Sequence, residues 1–95
     1  MDLRKLITEP NANLIDVRSE FEFQMGNVEG SICIPLDQVP YSVERFKEME
    51  GPILLFCASG NRSGQAAAFL RAQGIEEAYN VGSWYDIQYL KSEAA

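Results

Sequence analysis

The chain has 95 residues, with 14 acidic side chains against 8 lysines and arginines and a net charge of −6, enough for one domain over 1–95 with a modest core. An acidic balance without a Lys/Arg cluster beyond Arg4–Lys5 argues against broad binding to nucleic acid or to an anionic membrane, since both need a concentrated positive field. The lack of histidine removes the usual general base and the commonest neutral metal ligand, and Cys33 and Cys57 show no CxxC spacing, so neither a zinc site nor a disulfide framework is expected.

No apolar run is long enough to cross a bilayer. The opening "MDLRKLITEP" lacks the apolar segment of a secretory leader, which points to the cytoplasm, or to the periplasm had a signal segment been removed. In chain order, residues 2–8 read as a short helix broken near Pro10, and "NLIDV" (13–17) as a strand ending in a carboxylate. Ser19 caps a helix over 20–25, with Glu22 placed to close a capping box. "SICIPL" (31–36) is a second strand stopped at Pro35, and 41–50 is a helix with Val43, Phe46 and Met49 on one face. "PILLF" (52–56) is a continuous apolar run, as in a strand covered on both faces of a parallel sheet. A helix over 63–74 ends at Gly74, a strand covers 77–81, and "SWYDIQYLKSEA" supplies a last helix that packs Trp84, Ile87 and Leu90. Strands alternating with short helices predict an α/β domain, an open, mainly parallel sheet of four or five strands with helices on both faces.

Cys57 stands where the apolar strand hands over to a helix. The segment Ala58, Ser59, Gly60, Asn61, Arg62, Ser63 must turn tightly, and Gly60 relieves that turn by taking positive φ. Successive amides in such a turn, with the open N–H groups at the helix start, form a cup for an anion. A thiolate at the rim of that cup is stabilised by the same amides. Arg62 adds a fixed positive charge, and Ser59 and Ser63 add donors, Ser63 also as a helix cap. Without histidine the chemistry must rest on a stable thiolate rather than on a Cys–His pair. Such a thiolate can attack sulfur, phosphorus or arsenic.

Two blocks, "LIDVRSEFEFQMGNVEGSICIPL" (14–36) and "ILLFCASGNRSGQAAAFLRAQGIEEAYNVGSWYDI" (53–87), resemble the single-domain rhodaneses, thiosulfate or persulfide sulfurtransferases; "GSWYDI" resembles small phage-shock-type members. The resemblance implies about five parallel strands in the order 1-5-4-2-3, with the first edge strand very short or missing here because "MDLRKLI" reads as helix. It implies that Cys57 takes a sulfane sulfur from thiosulfate, a low-molecular-weight persulfide or a protein persulfide and passes it to a thiol or cyanide, with no cofactor and no metal. Amides of 58–62 hold the transferred group, and Arg62 matches the family's C-x4-R spacing. Asp16 and Arg18 match its "DVR" as supporting residues, with Arg18 expected to pair with Glu22. The chain departs from the family pattern at Asn27, Cys33, Ala58 and Ser83; Ala58 removes a positive charge that would steer thiosulfate.

Cys33 reads either as a small buried residue or as a resolving thiol for a Cys57 persulfide. Trp84, Tyr85 and Tyr89 read either as helix packing or as a cover for one side of the loop. Two alternatives stand beside sulfur transfer: a sulfur-carrier or protein-interaction module with little activity on free thiosulfate, and a small phosphatase or arsenate reductase. The last is disfavoured because those loops are one residue longer.

Overall fold

A computed structural model describes residues 2–94. The chain runs α1 (Leu3–Thr8), β1 (Asn13–Asp16), α2 (Glu20–Met25), β2 (Ile32–Cys33), a 3-10 turn (Leu36–Tyr41), α3 (Val43–Glu48), β3 (Ile53–Cys57), α4 (Asn61–Ala72), β4 (Ala78–Ser83) and α5 (Trp84–Ala94). The four strands form one sheet in the order β2-β1-β3-β4, and every pairing is parallel. This is the expected α/β architecture.

The apolar runs decide the centre. All five residues of β3 are buried, and they divide by alternation between two cores. Ile53, Leu55 and Cys57 pack with Phe46, Ala66, Ala67 and Leu70 on the face covered by α3 and α4. Leu54 and Phe56 pack with Ile7, Val81 and Ile87 on the face covered by α1 and α5. The alanines of α4 let that helix lie close to the strands.

The expected order lacks only its first edge strand. Among the described residues no strand precedes β1; residues 3–8 form α1, capped by Asp2, whose carboxylate accepts from the Arg4 and Lys5 amides. Ile7 of α1 joins the core of Ile87 in α5, so an amphipathic helix covers that face where a strand was the alternative.

Other boundaries moved. The second strand shrinks to Ile32–Cys33, and the segment after Pro35 winds into a 3-10 turn that precedes α3. The capping box forms as expected: the Glu22 amide donates to Ser19 Oγ at 3.2 Å and the Ser19 amide to Glu22 Oε1 at 3.1 Å. At the end of α4, Gly74 takes φ +91. Its amide donates to Arg71 O and the Ile75 amide to Leu70 O, both at 3.0 Å, which is a Schellman closure. The largest change lies after Cys57. Helix α4 begins at Asn61, so the turn is Ala58–Gly60 rather than six residues, and Gly60, not Ser63, occupies the N-cap.

Candidate active site

The short turn follows from two constraints. β3 ends with Cys57 on the α4 side of the sheet, and α4 must start at once to lay its alanines on that face. Gly60 makes the reversal with φ +97. A Cβ there would sit in ordinary van der Waals contact with Gly82 Cα at 3.4 Å, so it is the backbone conformation that favours glycine.

The turn aims its amides at the sulfur. The Gly60 N–H donates to Cys57 Sγ at 3.1 Å, and the Ser63 hydroxyl lies 3.5 Å from it. Cys57 is 1% exposed. Burial pushes its thiol up, but the Ser63 hydroxyl and the amides of Ser63, Ser59 and Gly60 outweigh that and bring it down to about 7. The opposing contributions mark a buried sulfur that the surrounding donors hold near ionisation at neutral pH.

Arg62 leaves the first turn of α4 and forks onto Glu22 of α2, with Nη1–Oε1 at 2.6 Å and Nη2–Oε2 at 3.0 Å. The pair holds the Glu22 carboxyl down to about 2, with the Ser19 amide assisting. It raises the Arg62 guanidinium, to which the facing Cys57 thiolate also contributes. Glu22 therefore serves two helix starts, closing the capping box of α2 and clamping the first turn of α4.

Arg18 does not pair with Glu22. Its guanidinium turns to Asp16, with Nε at 3.0 Å from both carboxylate oxygens and Nη2 at 2.8 Å from Oδ2. Nη2 also donates to Gly26 O at 2.6 Å, and the guanidinium lies 4.3 Å over the Trp84 ring. Both partners are buried. Asp16, with its two-residue spacing to Arg18, satisfies the shorter loop, while Glu22 is drawn off by Arg62. Asp16 and Arg18 thus tie the end of β1 to the end of α2 and the start of α5.

The remaining predicted residues divide. Ala58 and Ser59 are exposed, with Ala58 in a groove beside the turn. The Asn61 side chain turns away and accepts from Gln65 Nε2 at 3.0 Å. Ser63 is buried as the third residue of α4 and donates to Asn80 Oδ1 at 2.7 Å. Of the aromatics, Trp84 and Tyr85 line the groove beside Ala58, while Tyr89 does not.

Sequence reading missed Asn80. The β3–β4 register slips between Leu55 and Phe56, so that Leu55 pairs with Asn80 and Phe56 with Gly82. Asn80, in regular register with Leu55 before the slip, lies on the α4 side and Val81 in the opposite core. Asn80 then reaches three parts of the site: Nδ2 donates to Gly60 O at 3.0 Å, while Oδ1 accepts from Ser63 and, at 3.1 Å, from the Gly82 amide. The available signal was alternation along β4, which puts Asn80 on the same face as the buried Ala78, beneath α4.

Cys33 cannot act as a resolving thiol in this geometry. Asp16 pairs with both Cys33 and Phe56, so Cys33 shares the side of the sheet taken by Phe56, opposite to Cys57. Two strand spacings, about 10 Å, separate it from β3, beyond the reach of a disulfide. Its Sγ faces Arg18 O at 3.5 Å, and burial, with Asp16 and Glu20 nearby, pushes its thiol up to about 11. Among the described residues no group of three or more His, Cys, Asp or Glu side chains is placed to hold a metal ion, and no helix is long and apolar enough to cross a membrane.

A parallel β2-β1-β3-β4 sheet with a cysteine at the end of β3 and a glycine-started helix behind it is accompanied by a match of residues 1–89 to the family model described as "Rhodanese-like domain". The chain belongs to the rhodanese-like domain family. This rhodanese-like domain is 27% identical to a structure titled human single domain sulfurtransferase TSTD1, with a TM-score of 0.74 over 94% of this chain and 89% of that one. A rhodanese with anions from E. coli is 30% identical, with a TM-score of 0.71 over 79% of this chain and 89% of the other. Curated relatives include the tRNA uridine(34) hydroxylases of Cronobacter sakazakii (29% identical) and Hamiltonella defensa subsp. Acyrthosiphon pisum (31%), each aligned over 84% of this chain. The chain spans 24% of the length of those hydroxylases.

Proposed function

We propose that this rhodanese-like domain is a sulfurtransferase that carries a sulfane sulfur on Cys57. The observation that supports it most is the Gly60 amide 3.1 Å from a sulfur held near ionisation at neutral pH. The Cys57 thiolate attacks the outer sulfur of a donor. With thiosulfate the S–S bond breaks, sulfite leaves with the electron pair, and Cys57 becomes a persulfide. The amides of Ser59, Gly60 and Ser63 then hold the terminal sulfur, as they held the thiolate. An acceptor thiolate or cyanide attacks that terminal sulfur and leaves the Cys57 thiolate behind. No net oxidation occurs in either step, and the exchange needs no cofactor. Asp16, Arg18 and Glu22 act by fixing the elements around the turn.

The three-residue turn between Cys57 and α4 favours sulfur over the larger phosphoryl group, which weighs against a phosphatase or arsenate reductase. A second reading, a sulfur-carrier module with little activity on free thiosulfate, is favoured by the engagement of Arg18 and Arg62 with Asp16 and Glu22. The −6 charge of this chain weighs against RNA as its substrate. Two free cysteines suit a reducing compartment such as the cytoplasm, and the relatives and solved structures named above give no support to the phage-shock subgroup.

Intact-mass measurement after treatment with thiosulfate or a persulfide donor tests the reading. The expected gain is one sulfur, about 32 Da, removed by cyanide and absent in a folded Cys57→Ser variant. A gain that persists in Cys57→Ser, or no gain from any donor, overturns it.

A further inference from the structure

The groove beside the turn has walls that thiosulfate and cyanide do not use. It lies between α2 and the start of α5, with a volume of about 290 Å³, and Ala58 stands where it meets the Cys57 turn. Phe21, Met25, Trp84 and Tyr85 supply its apolar lining. Phe21, Met25 and Tyr85 are 72%, 75% and 68% exposed, so their surfaces lie open beside the reactive turn instead of filling the core. The Trp84 ring is fixed in place, with the Arg18 guanidinium and the Tyr85 ring each 4.3 Å from it. Gly26 leaves room for it, since a Cβ there would stand 3.0 Å from that ring. Aromatic faces and a thioether make a wall that pairs with a flat apolar ring.

Size and charge select the occupant. A volume of about 290 Å³ stands at the lower end of small-molecule sites, enough for one ring and a short tether. The charged side chains in this lining are Arg18 and Glu22, and each is engaged: Arg18 by Asp16 at 2.8 Å and Glu22 by Arg62 at 2.6 Å. A charged group entering the groove would lose water and meet a lining whose charges are already paired. The −6 charge of the chain adds a general repulsion of anions. Ala58, at the mouth, presents one methyl group and no charge to whatever passes toward Cys57.

We propose that this groove sets the acceptor choice of Cys57: it seats the ring of a small, uncharged aromatic thiol, whose sulfur passes Ala58 and discharges the Cys57 persulfide, in preference to an anionic thiol. Phe21, Met25 and Tyr85 are then specificity-determining residues. The inference rests on the sulfurtransferase reading above and names its acceptor class. The acceptor thiolate attacks the terminal sulfur, the S–S bond at Cys57 breaks, a new S–S bond forms on the acceptor, and Cys57 leaves as a thiolate. The proton of the terminal sulfur goes with it, so nothing else is consumed.

The test starts from protein loaded with sulfur on Cys57 and follows the loss of about 32 Da by intact mass. The acceptors are phenylethanethiol, mercaptoethanol and mercaptoethanesulfonate. Each rate is divided by that thiol's rate with a small disulfide in solution, which removes differences in intrinsic reactivity. Phenylethanethiol is expected to discharge Cys57 about tenfold faster than the sulfonate, with mercaptoethanol between them. In a Phe21→Ser/Tyr85→Ser variant, shown folded by circular dichroism, that ratio falls to within about twofold. Met25→Ser, on exposed surface, lowers it in the same direction. Ala58→Lys places a cation at the mouth and raises discharge to the sulfonate several-fold. Equal corrected rates, a ratio unchanged in the double variant, or a sulfonate rate unmoved by Ala58→Lys overturns the inference. Loading by thiosulfate followed by discharge without discrimination removes only the acceptor choice. Failure of every donor to load the folded protein removes the role of Cys57 itself, and this inference with it.

Discussion

The Ser63 hydroxyl stands 2.7 Å from Asn80 Oδ1 and 3.5 Å from Cys57 Sγ. It has one proton for two acceptors. With a neutral thiol the shorter bond to Asn80 takes it; with a thiolate the sulfur competes. Asn80 is therefore a positioning residue, which holds Ser63 beside the sulfur and, through Gly60 O, holds the turn that aims the Gly60 amide.

Removing that hydroxyl should raise the Cys57 pKa. Ser63→Ala takes away the largest of the contributions that lower it, and a hydrogen bond to a charged group is worth enough to move it up by about one unit. Asn80→Asp should shift it in the same direction, because a carboxylate holds the Ser63 proton more strongly and places negative charge near the sulfur. Thiolate absorbance followed against pH measures both; a downward shift in either variant contradicts the assignment.

Sulfur loading of the unmodified protein should follow the ionisation of Cys57. Its folded pKa is lowered from 9.0 to about 7, so the thiolate grows as pH rises through 7. Loading by excess thiosulfate should climb between about pH 6 and 8 and then level, where an ordinary thiol would still be climbing. A profile still rising steeply above pH 9 would show that the amides do not stabilise the thiolate in solution.

Glu22→Gln keeps an acceptor for the capping box and removes the charge that holds Arg62. Stability should fall by about 1 kcal/mol, modest because the pair is partly solvated. Thiosulfate should bind several-fold more tightly, as the released guanidinium gains an anionic partner. The pH dependence has a definite sign: the Glu22 carboxyl is lowered from 4.5 to about 2. Its contribution is therefore complete above 4.5 and is lost as pH falls toward 2, and the variant should lose less stability over that window. Denaturant melts at several pH values and loading kinetics measure the two effects separately.

Asp16→Ala should cost about 3–5 kcal/mol, because it leaves the Arg18 guanidinium charged and buried without its partner. The loss should appear in thermal or denaturant unfolding, well beyond that of Glu22→Gln. A loss comparable to the solvated pair would show that Arg18 finds another partner.

Much of the architecture was legible because it depends on local patterns. The apolar "PILLF" run marks a strand buried on both faces, Ser19 with Glu22 marks a helix start, and Gly74 marks a helix end. Each is a contact between near neighbours or a periodicity of one element. The start of α4 was misplaced for the same reason: Ser63 is a good cap by composition, but the close packing of α4 against β3 and the left-handed Gly60 start the helix earlier.

The amino-acid order by itself determined an α/β domain with a cysteine at a strand end and a glycine-bearing turn behind it, since strand and helix periodicity and turn chemistry are local properties of the chain. Only the tertiary structure decided that Arg62 meets Glu22, that Arg18 meets Asp16 and Trp84, that the pairing of β4 with β3 brings Asn80 to Ser63 and Gly60, and that Cys33 faces away from Cys57. Those outcomes depend on strand register and on which side of the sheet each helix covers, and these are set by burying both faces of β3 at once.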